Sequence, residues 1–351
     1  MADFNTEIYA WYASNKRDLP WRETNDPYKI WLSEIILQQT RVVQGLEYYM
    51  RFVENFPTIS DLAAASEDEI LKLWQGLGYY SRARNLHTAA KYVDEELNGV
   101  FPSKYETIIR LKGVGEYTAA AIASLAFHLP HAVVDGNVFR VLARYFGISE
   151  PFDTANGKKM FRDLANELIS ANDPATHNQA MMEFGALQCV PVNPGCAICP
   201  LQISCYAYIN KVVDRLPVKS KKVKIRNRYF NYFVIFTGDS VFLKKRSGND
   251  IWKNLFEFPL TETQNEESVK KLVEEDAFSL LCNFNGTEVE TITEWKIHLL
   301  SHQKIIYRFI VLRVEREKKI TSDLIKVDKK DIFNFAVPRL LENFINNSKL
   351  F

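Results

Sequence analysis

"CVPVNPGCAICPLQISC", residues 189–205, holds four of the five cysteines of the chain, with six, two and five residues between Cys189, Cys196, Cys199 and Cys205. Its three prolines and one glycine favour tight turns, which can bring thiols toward one point. Disulfides need an oxidising compartment, and the chain shows no secretory pattern, so bridges are the poorer reading. Four converging thiolates suit a metal or an iron–sulfur cluster, and ligand chemistry alone does not separate zinc from iron–sulfur. Cys282 stands apart and reads as a small buried hydrophobe rather than a ligand.

Working outward from this loop, 351 residues are long for one core and suggest roughly two domains. Before about residue 210, segments such as "SEDEILKLWQGL", "ARNLHTAAKYVDEEL", "YETIIRL", "YTAAAIASLAF" and "GKKMFRDLANELIS" repeat apolar residues three and four apart, the period of helices. Later segments, "YFNYFVIFT", "SVFLKKR", "TEWKIHLLS" and "KIIYRFIVLRVE", are β-branched and aromatic, and read as strands. "ESVKKLVEEDAFSLL" and "PRLLENFINN" read as the helices of the same later domain. Lys and Arg against Asp and Glu count 20 and 25 over residues 1–215, 6 and 0 over 216–228, and 18 and 18 over 229–351. The short basic run "LPVKSKKVKIRNR" therefore reads as a solvated linker between a helical domain (1–215) and a mixed α+β domain (229–351). No apolar run approaches the roughly 18 residues of a membrane span, so an intracellular, cytoplasmic protein with no membrane partner is expected.

Upstream of the cysteines, "LKGVGEYTAAAIASLAF" (111–127) places Gly113 and Gly115 in a turn before a helix, where backbone amides can approach an anion without a Cβ in the way. Twenty residues beyond Gly115, "AVVDGNVFRVLARYF" puts Asp135 at a helix start, a natural N-cap. Nearer the N-terminus, "WLSEIILQQT" (31–40) carries Glu34 on a helix face with Ile30, Trp31, Leu37 and Gln38. A carboxylate on such a face must be paired, reach water, or hold its proton. The plain reading of Glu34 is a helix-start acid beside an arginine; the sharper one is a general acid.

The cysteine spacing at the end of a helical domain resembles the 4Fe–4S loop of endonuclease III and its relatives. The Gly113–Gly115 turn resembles the helix–hairpin–helix that holds DNA phosphate in that superfamily, and Asp135 stands where its glycosylases keep an aspartate that stabilises the sugar cation. The blocks "PWRETNDPYKIWLSEIILQQT", "LWQGLGYYSRARNL", "GVGEYTAAAIASLAF", "VDGNVFRVLAR" and "NQAMMEFGALQC" are similar to those of MutY-type adenine DNA glycosylases across nearly all of residues 8–210. The resemblance implies an all-α helix–hairpin–helix glycosylase domain with one 4Fe–4S cluster on Cys189, Cys196, Cys199 and Cys205. It implies a monomeric enzyme on double-stranded DNA, removing adenine opposite 8-oxoguanine or guanine.

The same resemblance assigns roles. Glu34 would protonate the leaving adenine and Asp135 stabilise the oxocarbenium-like sugar, with Tyr117 and Asn137 assisting. Trp21, Arg22 and Gln179 would form the adenine pocket, Tyr79 would wedge into the duplex, and Gln39, Thr40 and Leu77 would touch the lesion side. For Trp21, Leu77 and Tyr79 the competing reading is core packing; for Arg82 and Arg84, phosphate contact competes with a solvated face. Endonuclease III-like members use a lysine nucleophile where this chain has Tyr117, and a phenol forms no Schiff base, so a monofunctional enzyme is expected. Phe139 replaces a non-catalytic lysine found in some relatives, so covalent trapping should be poor.

Residues from about 229, including "VFLKKRSGNDIWKNLFEFP", resemble the MutT-like C-terminal domain of the same family. "TETQNEESVKKLVEED" lacks the Gly-x5-Glu-x7-Arg-Glu-x2-Glu-Glu pattern of the hydrolases, so no nucleotide hydrolysis is expected. Ser301 and His302 resemble a lesion-reading loop, with Leu300 where the family usually has Phe; an ordinary hairpin turn is the alternative. Two rival functions remain open at this level: an endonuclease III-like pyrimidine glycosylase and lyase, opposed by Tyr117 and the second domain, and a non-enzymatic iron–sulfur DNA-binding module, opposed by Glu34 and Asp135 together.

Overall fold

A computed structural model of the chain describes residues 2–220, 225–274, 284–317 and 323–351. In chain order its helices are α1 (Ala2–Asn15), α2 (Pro27–Leu37), α3 (Val42–Asn55), α4 (Ile59–Ala64), α5 (Glu67–Leu73), α6 (Ser81–Glu96), α7 (Tyr105–Ile108), α8 (Glu116–Phe127), α9 (Gly136–Phe146), α10 (Ala155–Leu168), α11 (Pro174–Leu187), α12 (Tyr206–Ile209), α13 (Val269–Glu274) and α14 (Arg339–Asn347). The strands are β1 (Arg226–Thr237), β2 (Ser240–Lys245), β3 (Phe256–Glu257), β4 (Leu260–Thr263), β5 (Phe284–Ile292), β6 (Lys296–Leu299), β7 (Gln303–Glu317) and β8 (Leu324–Asp328). No described helix is long and apolar enough to cross a membrane. The chain divides into two compact units, Met1–Ala64 with Asn85–Lys221, and Ala65–Arg84 with Lys222–Phe351.

In the first unit, short side chains start the helices that matter most. Asp26 caps α2 by accepting from Tyr28 N, with Pro27 in the first turn, where a missing N–H costs nothing. Asp135 caps α9 through Asn137 N and Val138 N, and Asp173 caps α11 through Thr176 N ahead of Pro174. Residues Ile30 to Ile36 of α2 are all buried, so the helix runs through the interior rather than lying amphipathically on it. α2 packs on α3 and α8, while α11 packs on α1, α8 and α9. Phe4, Ile8, Val138, Leu142, Phe161, Ala180 and Phe184 meet in one apolar core behind α9 and α11.

The α9–α11 contact is close because of a glycine. A Cβ on Gly185 would lie 2.6 Å from Asn137 Cβ and 2.9 Å from its carbonyl oxygen. Buried Arg140 of α9 bridges the same contact, donating through Nη2 to Gly185 O at 2.7 Å and to Asn137 Oδ1 at 2.8 Å.

In the second unit an eight-stranded mixed sheet has the main order β3-β2-β1-β7-β5, with β4 also on β1, β6 also on β7 and β8 also on β2. Long β1 and β7 run parallel over eleven paired positions, Arg226↔Gln303 to Phe236↔Arg313; the other pairings are antiparallel. β1 is apolar on both faces: Phe230, Tyr232, Val234 and Phe236 pack beneath α14, while Phe233 and Ile235 pack beneath α13 and Leu272. A strand covered on both sides reads as a continuous apolar run, which is why it was legible in sequence.

Two boundaries differ from the sequence reading. Residues 65–84 join the sheet-containing unit: Lys72 Nζ donates to Phe335 O at 3.3 Å and Arg84 Nη1 to Lys253 O at 2.8 Å. Helical periodicity reports a segment's conformation, not the surface it packs on. β1 begins inside the segment read as linker, and Arg228 is buried there, ion-paired to Asp250 at 2.7 Å and to Glu262 at 2.5 Å, rather than solvated. Residues 221–224 of that linker and Cys282 lie outside the described residues.

Gly185→Ala is expected to force α9 and α11 apart and to destabilise the first unit by on the order of 1–3 kcal/mol. Urea denaturation followed by near-UV circular dichroism measures it, and an unchanged midpoint would show that the crossing has slack.

Candidate active site

The cavity at the meeting of α2, α8, α9 and α11 measures about 180 Å³ and gathers Trp21, Arg22, Glu34, Thr40, Tyr117, Asp135, Asn137 and Gln179. Sequence reading named all of these from separate segments.

Glu34 is 6% exposed, and its Oε2 accepts from the Tyr117 hydroxyl at 2.7 Å. Burial is the main cause that pushes the Glu34 carboxyl up to about 7; the phenol hydrogen bond and the Arg22 charge act the other way, and the nearby Asp135 charge adds to the rise. Burial and the two carboxylates also push the Tyr117 phenol well above its ordinary value, so it remains a neutral donor.

Asp135 accepts through Oδ1 from Asn137 N (2.9 Å) and Val138 N (2.8 Å), and through Oδ2 from Asn137 Nδ2 (2.7 Å). The N-cap reading of this residue therefore holds, and capping leaves the carboxylate on the cavity wall. Burial raises its pKa, and the three hydrogen bonds with the Arg140 charge hold the rise back. Arg140 occupies Asn137 Oδ1, so the Asn137 amide must turn its NH₂ toward Asp135.

Trp21 lies in a short 3₁₀ turn, Pro20–Arg22, with its ring edge-on to Tyr49 at 5.1 Å. Arg22 donates to Glu183 at 2.8 and 3.1 Å, and Arg17 donates to the same carboxylate at 2.6 and 2.8 Å. Glu183 is 1% exposed, and the two guanidiniums overcome its burial and hold its carboxyl down at about 2. Arg17, Glu183 and Arg140 are site residues that sequence reading missed. A signal existed in each case: Glu183 is an acid inside the apolar helix "NQAMMEFGAL", Arg17 precedes the Trp21 turn by one loop, and Arg140 follows Asn137 by one helical turn.

Gly113 has φ +79 and its missing Cβ would meet Asn85 at 2.6 Å, so chain geometry alone requires glycine there. Gly115 has nothing within 4 Å of its missing Cβ, and as N-cap of α8 it supplies no side-chain hydrogen bond. The first amides of α8 are thus without a capping side chain, on a surface open to an anion. Phe139 packs edge-on to Phe161 (5.1 Å) and against Phe152 (5.3 Å).

Gln39 follows α2 in a left-handed conformation (φ 57) beside Thr40. In the second unit Tyr79 is also left-handed (φ 46) and 43% exposed, whereas Leu77 is 8% exposed and packed as core. Arg82 and Arg84 do not form the solvated face that was one reading of them: Arg82 lies over the Trp74 ring at 5.0 Å, and Arg84 is bound to a backbone carbonyl. Ser301 and His302 are exposed at the β6–β7 turn, which Leu300 N closes on Gln303 O at 2.8 Å; Leu300 packs against the core. The Ser301 hydroxyl and His302 Nδ1 are 3.2 Å apart.

Cys189, Cys196, Cys199 and Cys205 line one small cavity of about 30 Å³ with Val141, Phe184 and Leu201. Among the described residues no three His, Cys, Asp or Glu side chains are gathered tightly enough to hold a single metal ion. Tetrahedral zinc at 2.3 Å would need sulfurs roughly 3.8 Å apart. Four cysteine side chains on one cavity wall supply the donor set that a thiolate-held centre takes. Buried Arg144 fastens this loop, donating to Cys189 Sγ at 3.5 Å, Val190 O at 2.8 Å and Pro191 O at 3.0 Å. Burial, reinforced by the neighbouring sulfurs, pushes the Cys199 thiol up to about 11.

Comparison with known proteins gives one match in the helical part of the chain and one in the sheet-containing part. Residues 32–170 match the HhH-GPD superfamily of base excision DNA repair proteins, and residues 231–347 match the NUDIX domain. The chain is 33% identical over 355 residues to an adenine DNA glycosylase of Buchnera aphidicola from Acyrthosiphon pisum, covering 99% of this chain and 97% of that one. It is 44% identical over 214 residues to the human adenine DNA glycosylase, covering 58% of this chain and 39% of that one. Among solved structures, a thermostable thymine-DNA glycosylase matches with TM-score 0.55 and 33% identity over 59% of this chain and 95% of that one. A non-covalent endonuclease III–DNA complex matches with TM-score 0.52 and 22% identity, over 59% and 94%, a likeness of fold.

Removing the phenol hydroxyl removes the donor that stabilises ionised Glu34. In Tyr117→Phe the Glu34 carboxyl, followed by carbon-13 NMR of labelled protein, should titrate above its wild-type value of about 7. A downward shift would mean that the hydroxyl favours the neutral acid instead.

Proposed function

The chain belongs to the adenine DNA glycosylase family, DNA glycosylases of base excision repair that hydrolyse N-glycosyl bonds, and from that premise we propose that it excises adenine paired with 8-oxoguanine or with guanine. The observation that carries the proposal is a nearly inaccessible carboxylic acid, Glu34, with a pKa of about 7, on the same cavity as Asp135.

Adenine leaves poorly as an anion, so the departing base needs a proton, delivered to N7. Glu34 is a competent donor because burial keeps a large fraction of it protonated at neutral pH. As the C1′–N9 bond lengthens, positive charge grows on the sugar. Asp135, already fixed by three donors and relieved of the Glu34 charge once that acid is protonated, stabilises the charge on the sugar. Water then adds to C1′ and gives its proton to a carboxylate. The reaction has the two-carboxylate logic of acetal hydrolysis. Tyr117 supplies a hydrogen bond and no amine, and Phe139 is packed among rings, so neither traps the sugar covalently.

The base must leave the stack to reach this cavity. Trp21, Arg22 and Gln179 receive the adenine, with the Arg17–Glu183 clamp holding Arg22 and the Trp21 turn in place. Exposed Tyr79 would be the wedge, and Gln39 and Thr40, the latter on the cavity wall, would face the lesion side; Leu77 is 8% exposed and packed as core, which leaves it little reach toward the lesion. The open Gly113–Gly115 turn and the free amides of α8 take a backbone phosphate. Ser301 and His302 read the 8-oxoguanine. The four cysteines would hold one 4Fe–4S cluster, which would supply the positive charge that keeps buried thiolates ionised. The cluster contributes no step to the hydrolysis.

A duplex with adenine opposite 8-oxoguanine should yield strand breaks after alkali and few without it. Glu34→Gln should bind the same duplex and release base at least a hundredfold more slowly in a single turnover. Breaks without alkali would favour a lyase, and near-normal release by the variant would remove Glu34 from the acid role. Ser301→Ala with His302→Ala should narrow the preference for 8-oxoguanine over guanine; unchanged discrimination would leave that turn a packing loop.

A further inference from the structure

A second cavity of about 270 Å³ lies directly beside the catalytic one, and Arg17, Leu19, Trp21, Arg22 and Gln179 line both. The partition between them is thin: one loop with its 3₁₀ turn, Pro20–Arg22, and one side chain of α11. Beyond the partition the side chamber is polar, with Lys16, Asp18, Thr24, Asn25 and Thr176 on its walls. Arg22 belongs to both cavities, and although its terminal nitrogens bind Glu183, its Nε is buried without a hydrogen-bond partner. A buried guanidinium N–H without an acceptor is costly unless something is received there.

The chemistry of base excision gives such a chamber a use. When the N-glycosyl bond breaks, the deoxyribose stays in the strand, and its C1′ must still lie beside Asp135 for water to add. The sugar therefore blocks the opening by which the nucleotide entered, and the free adenine is left on the Trp21–Arg22 side. We infer that the side chamber is a product subsite and outlet for free adenine, a neutral purine, allowing the base to leave while the abasic strand is still bound. The purine nitrogens are acceptors for the unpartnered Arg22 Nε, and the polar walls beyond rehydrate the base as it passes. The inference rests on the adenine-excision reading.

The test separates cleavage from release. The full-length protein, in excess over a duplex carrying carbon-14 adenine opposite 8-oxoguanine, is sampled in two ways: alkali quench measures abasic sites, and rapid spin filtration measures free label separated from the enzyme–DNA complex. Ala175→Phe and, separately, Asn25→Trp place bulk in the side chamber at residues that do not line the catalytic cavity. The wild type should pass labelled adenine through the filter while the abasic strand is retained. Each variant should form abasic sites within about twofold of the wild-type rate yet release label at least tenfold more slowly. Label leaving both variants at the wild-type rate, or leaving the wild type only as DNA dissociates, overturns the outlet. Absence of abasic sites in the wild type overturns the excision reading instead.

Discussion

Keeping one carboxylate out of water is the constraint around which the helical unit is arranged. α2 is buried on nearly every side, and Glu34 is the acid in its middle. The helix tolerates it because a single phenol, delivered by α8 from 83 positions away, satisfies one oxygen without neutralising the group. Satisfied but not ion-paired, the acid keeps an elevated pKa. Asp135 sits on the same cavity under different terms: two amides at the start of α9 and one side-chain amide hold its oxygens. Two carboxylates with unequal hydrogen-bonding environments are what an acid and a charge stabiliser need.

The supporting residues follow the same physics. Glu183, itself 1% exposed, is held ionised by two arginines and so becomes a fixed anchor rather than an acid. Arg140 settles the orientation of the Asn137 amide and fastens α9 to α11 where Gly185 lets them meet. Arg144, one turn further along α9, binds the cysteine loop through three groups. One helix thereby links the cavity-lining Asp135 to the cysteine loop, so loss of the loop's structure should be felt at Asp135 through α9.

Much of this was legible in the sequence for identifiable reasons. The helical period exposed Glu34 as an acid on an apolar face, the glycine pair marked the hairpin, and four close cysteines marked the loop. The apolar run of β1 announced a strand, and the structure covers it on both faces. Partners distant in sequence were not legible: nothing in spacing pairs Tyr117 with Glu34 or Arg17 with Glu183. Strands β4, β5 and β8 carry many polar residues and lack an apolar run, so periodicity passed over them. The membership of residues 65–84 in the sheet-containing unit was invisible because a helix's period does not name its neighbour.

The central claim is that burial of Glu34 sets the proton on which base release depends. It is tested most directly by the pH dependence of single-turnover adenine release at saturating enzyme. A carboxyl pKa raised to about 7 supplies the acid form below that value and loses it above, so the rate should fall roughly tenfold per pH unit on the alkaline side of about 7. A rate that stays level to pH 9, or one that falls only near the ordinary carboxylate range, would contradict the account.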